Sequence, residues 1–142
     1  MYYKISQNFV KLELLKARLE VYQNESGREG VDFIIKTSID NLHKMYLQPI
    51  NLDTERNVKI PKPELGEPKD NLWVALVLII DNKAINFYLI PSKIVTTPDD
   101  FVFIENEVSS FPHLSNWEIK VFKNAMQKLS EFSLDNMLDK LN

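Results

Sequence analysis

Cysteine is absent from the 142 residues, which excludes disulfides, thiolate zinc sites and a cysteine nucleophile. Glycine is scarce. Gly27, Gly30 and Gly66 are the three present, and they do not compose a phosphate-binding loop. Two histidines, His43 and His113, stand far apart with no partner motif around either, so a histidine-based metal site or triad is not expected. Positive charge is not in excess: 17 Lys and Arg face 20 Asp and Glu, for a net charge of −3. Strong independent DNA binding normally rests on a basic face that releases counterions from phosphates. Up to Asn71 the chain holds eleven bases and eleven acids, and from Leu72 six and nine; the interleaving reads as a solvated surface. No long apolar run is present. Leu72 to Ile80, nine residues, falls far short of the roughly 20 that a membrane helix needs, so no membrane association is expected. The first eight residues contain no apolar core of a secretory signal, and the expected location is the cytoplasm. Internal repeats and low-complexity tracts are missing as well.

What is present fits one domain over residues 1–142. Apolar residues make up 44% of the chain, enough for one buried core. From Ile5 to Leu19, the apolar residues Phe9, Leu12, Leu15 and Leu19 recur at helical spacing, which predicts an amphipathic helix. A short strand is expected at Glu20 to Tyr22, then a turn-rich link over Asn24 to Gly30. Val31 to Thr37 and Lys44 to Ile50 read as strands. Leu52 to Arg56 reads as a charged turn, and Asn57 to Ile60 as an extended piece ended by Pro61 and Pro63. Pro61 to Asn71 reads as a loop. The apolar run Leu72 to Ile80 fits a central strand covered on both faces. A turn at Asp81-Asn82-Lys83 joins it to a strand over Ala84 to Ile90, as a hairpin. Thr97-Pro98-Asp99-Asp100 has the form of a short helical turn. Ser115 to Glu118 matches a capping box, but Trp117, Ile119 and Val121 alternate, which favours an extended piece. A helix is expected from Lys123 to Phe132, and Ser133 caps a last one carrying Leu134, Met137, Leu138 and Leu141.

Within this order sits Leu19-Glu20-Val21-Tyr22, a polar link, and then Arg28-Glu29-Gly30-Val31-Asp32-Phe33-Ile34-Ile35-Lys36. The combination resembles the first hairpin of the PD-(D/E)XK, or restriction-endonuclease-like, superfamily, in which a glycine-containing turn precedes an aspartate at a strand start. Met45-Tyr46-Leu47-Gln48 resembles the strand that follows. Asn71 to Val77 and Phe87 to Ser92 resemble the next strand pair of divergent bacterial members. The resemblance covers roughly residues 5 to 95. It implies an α+β fold, with a central mixed sheet flanked by an N-terminal helix and C-terminal helices.

It also implies a site. Asp32 matches the first acid, Gln48 the variant of the second, and Glu13 the acid of the first helix. In an active member such oxygens hold Mg²⁺, a hard cation, so Asp32 and Gln48 would be the metal ligands. The metal and a nearby lysine generate hydroxide and stabilise the charge on the phosphate. The lysine position, two residues after Gln48, is Ile50 here, with Pro49 between them. Isoleucine carries no charge and donates no proton. The expectation is therefore a catalytically degenerate nuclease-like domain with a nucleic-acid or protein interaction role. An active, Mg-dependent nuclease would need another amine, Lys36 or Lys59. A third reading is a protein-interaction module of a defence or mobile-element system, acting as a homodimer or with a protein partner. Each residue also has a plain structural reading: Asp32 as a turn cap, Gln48 as a sheet-edge polar group, Glu13 as a solvent-facing helix residue, and Lys36 as a solvated strand residue.

Overall fold

The computed structural model describes residues 2–23, 32–37 and 41–141. The expected link over Asn24 to Gly30, and Val31 after it, lie outside them. Helix α1 spans Tyr2–Lys16 and buries Ser6, Gln7, Val10 and Leu14, a stripe at helical spacing. It closes through Arg18, whose φ of 65° is left-handed. The Leu19 N–H there returns to the Leu14 carbonyl at 3.1 Å, satisfying a carbonyl that the helix end leaves open.

Five strands form the larger sheet: β1 (Glu20–Gln23), β2 (Phe33–Lys36), β3 (Leu42–Asn51), β5 (Leu72–Ile80) and β6 (Lys83–Pro91), in the order β1-β2-β3-β5-β6. The β3–β5 pair is parallel and the others are antiparallel. The sheet is therefore mixed and the fold α+β. A second sheet, with order β4-β8-β7, contains β4 (Asn57–Pro61), β7 (Phe103–Asn106) and β8 (Asn116–Lys120). Short helices α2 (Lys62–Leu65), α3 (Ser92–Val95) and α4 (Met126–Leu129) punctuate the chain, and α5 (Leu134–Leu141) ends it.

Every residue of β5 but Ile80 is buried, so both faces of this strand are covered. Phe87, in register with Val77, meets Phe9 of α1 edge-on. His43 meets Trp73 and the Leu141 carbonyl of α5. Trp73 and Val77 lie four residues apart and share a face, so α1 and α5 cover the same side. The small sheet and α3 are left to cover the other. Val58, Ile60, Phe103 and Ile119 of the small sheet belong to the same buried cluster as β3, β5 and β6. Among the described residues, no helix is long and apolar enough to cross a membrane.

Two local expectations are corrected. The Pro61–Asn71 loop contains α2. The helical turn near Thr97 falls earlier, at α3. Asp99 instead gathers the N–H groups of Phe101, Val102 and Phe103 onto Oδ1, each at 2.9 Å; an aspartate that bonds nearby backbone competes with helix. The expected extended piece near Trp117 is β8, and its two partners place it in a sheet that local pattern does not reveal.

Candidate functional site

Asp32 stands at a bend immediately before β2. Its own N–H donates to the Met45 carbonyl at 2.8 Å, continuing the pairing of Phe33 with Met45. Its carboxylate then replaces the next backbone partner, with Oδ2 accepting the Leu47 N–H at 2.7 Å. The other oxygen accepts a hydrogen bond from the Tyr3 hydroxyl, carried by the first turn of α1. Asp32 is buried, and hydrogen bonds to an ionised acceptor are the stronger kind. The carboxylate therefore terminates the β2–β3 ladder and pins the start of α1 to it.

Backbone N–H groups two residues apart in a strand point the same way. Leu47 points its N–H to the β2 side of β3, so position 49 does the same, and proline there removes no donor from the β3–β5 ladder. Gln48 is in register with Leu76, on the face away from α1, and its amide donates to the neighbouring Pro49 carbonyl at 3.0 Å. Ile50, at the position that the sequence resemblance assigns to lysine, is 0% exposed.

The remaining residues singled out from the sequence lie elsewhere. Glu13 is ten residues beyond Tyr3, about 15 Å further along the helix at 1.5 Å per residue, and pairs with Lys16 at 3.1 Å. Lys36 sits at the far end of β2, about 13 Å from Asp32 at the usual strand rise. There it lines a depression of about 420 Å³ with Arg18, Glu20 and Leu138. Lys59 is on β4 in the other sheet, opposite Glu118. Asp32 and Gln48 thus both lie at β3, each engaged by its own partner, and neither Glu13 nor either lysine joins them. Among the described residues, no three of His, Cys, Asp and Glu are grouped to hold a metal ion. Mg²⁺ demands several oxygens in near-octahedral array. One carboxylate already engaged by two donors, with an amide bonded to the neighbouring Pro49 carbonyl, does not fit it.

No protein-family model matches the chain, and no curated protein matches it significantly.

Two polar centres escaped the sequence reading because their partners are distant in the chain. His43 is buried, with Nδ1 accepting the Trp73 indole N–H at 3.0 Å and Nε2 lying 2.8 Å from the Leu141 carbonyl. A carbonyl only accepts, so Nε2 carries the proton and the ring is neutral. The ring ties α5 to the large sheet. On the small sheet, Glu118 accepts from Asn57 at 2.6 Å and from Asn106 at 2.9 Å. Burial alone would push its carboxyl up. The bonds from Asn106 and Asn57, with the charges of Lys59 and Lys120, outweigh this and hold it below its ordinary value. A depression of about 300 Å³ opens beside it, lined also by Arg56 and Phe122. The alternation of Trp117 and Ile119 in the sequence was the available signal, since it turns Glu118 to the opposite face.

Proposed function

We propose that this chain is a restriction-endonuclease-like domain that does not hydrolyse phosphodiesters and works by binding, to nucleic acid or to protein. The observation that carries the reading is the state of the matched positions. Both Asp32 oxygens are engaged by donors of the fold itself, and the residue in the amine's place is Ile50, packed in the core. The family likeness is supported by order and placement: a helix, a hairpin with an aspartate at the start of its second strand, and Gln48 on the neighbouring strand. A hydrolase of this kind needs a polarising cation and a group to activate water. The matched positions supply neither.

The test is incubation of plasmid, single-stranded DNA and RNA with the protein in Mg²⁺ or Mn²⁺. The expected result is no cleavage above that of a mock preparation. Metal-dependent cleavage that disappears in a folded Asp32→Asn variant would overturn the proposal and restore the active alternative. Asp32→Ala serves as the structural control. It leaves the buried Leu47 N–H without an acceptor, so a loss of about 2–3 kcal/mol is expected in urea unfolding. An unchanged midpoint would contradict the ladder-ending role.

A further inference from the structure

Helix α1 carries two exposed leucines on the side turned away from its core stripe. Its core stripe is Ser6, Gln7, Val10 and Leu14. On the outside, Leu12 and Leu15 are 58% and 47% exposed. At 3.6 residues per turn, Lys4, Asn8, Lys11, Leu12 and Leu15 fall within about 100° of arc, so the two leucines are bordered by lysines. Lys4 and Lys11 make no ion pair among the described residues, while Lys16 pairs with Glu13.

The charge here is opposite to that of the rest of the molecule. Residues 2–18 contain four basic residues and one acidic; the remainder contains thirteen basic and nineteen acidic. A net positive helix thus stands on a net negative body, with two cations that pair with no described residue beside exposed leucines. Scattered single leucines on a surface need no explanation, but a leucine pair one turn apart with flanking lysines has the pattern of a helix-docking face.

We infer that the outer face of α1 binds an acidic amphipathic helix of another protein. Charge and chemistry decide among the occupants. Two copies paired through this face about a two-fold axis would bring two helices of like, net positive charge together, which is repulsive. A nucleic acid would engage the lysines and leave both leucines in water. A bilayer would gain two leucine side chains from a helix whose other stripe is committed to the sheet, far less apolar surface than an interfacial helix inserts. An acidic helix with leucines at matching spacing satisfies both features. The inference does not rest on the Asp32 reading: it concerns a different surface and holds whether or not the chain cleaves nucleic acid.

The probe is a short fluorescein-labelled helical peptide with leucines at three- and four-residue spacing and flanking glutamates, followed by anisotropy. The expected result is micromolar binding that weakens at least fivefold between about 50 and about 300 mM salt. Leu12→Glu/Leu15→Glu and Lys4→Glu/Lys11→Glu should each weaken it at least tenfold with an unchanged melting curve. A control peptide with its leucines replaced by serine should not bind. Absence of binding to the leucine peptide overturns the inference, as does equal binding of the serine control. It is also overturned if oligo(dT) or phosphatidylserine vesicles bind more tightly through the same residues, or if the protein self-associates through them.

Discussion

Single carboxylates organise much of this molecule, and each does so by accepting backbone N–H groups. Asp32 ends one strand ladder. Asp99 collects three consecutive donors and also meets Lys128 at 2.6 Å. Burial would push the Asp99 carboxyl up. The Lys128 contact and the three backbone bonds outweigh it and hold the group well below the usual carboxylate range. A group depressed in the folded state contributes stability above its unfolded value, near 3.9, and loses it as pH falls towards the folded value. Asp99→Ala is therefore expected to cost about 1–2 kcal/mol at neutral pH, as losing a cap does. The difference from the parent should shrink on acidification from about pH 5 to about pH 2. Chemical unfolding across that range measures it; a constant difference would remove the charge from the explanation.

Among the elements, the β5–β6 hairpin shows how far local chemistry reaches. Asp81 and Asn82 have φ of 57° and 61°, both left-handed, as a two-residue hairpin turn of the primed type demands. Asn and Asp tolerate that region better than other side chains, and glycine best of all. Asn82→Gly should raise stability by about 0.5–1 kcal/mol, less the exposed bond from Tyr2, and lift the melting temperature by a few degrees. Asn82→Val should lower it. A fall with glycine would show that the Tyr2 contact outweighs the strain. This hairpin was legible in sequence because its whole logic lies within adjacent residues, and the apolar run of β5 was legible because a strand covered on both faces needs no alternation. The small sheet was not. β8 pairs with β4, nearly sixty residues earlier, and four-residue β7 has too little pattern to announce itself. The site was half legible. Asp32 stood out at its strand start, but the use of its carboxylate depends on Tyr3 and Leu47, which no local window contains.

At the scale of the molecule, the first and last described helices are fastened to the same face of the large sheet, α1 through Phe9 and Tyr3 and α5 through His43. Replacing His43 by phenylalanine leaves the Trp73 indole N–H and the Leu141 carbonyl facing each other's absence inside the protein. A loss of about 2–4 kcal/mol is expected for two buried polar groups stranded together, with earlier exposure of Trp73 fluorescence on urea unfolding. An unchanged midpoint would mean that α5 is held by Met137 and Leu141 alone. The late pairing of β8 with β4 also bears on how the chain is born. During synthesis β5 leaves the ribosome about 40 residues before β8 is complete, at roughly 5–20 residues per second. For some seconds its apolar residues can be covered on the side of α1 but not on the side of the small sheet. That interval, rather than the finished fold, is when the nascent chain is most exposed to aggregation and most in need of a chaperone.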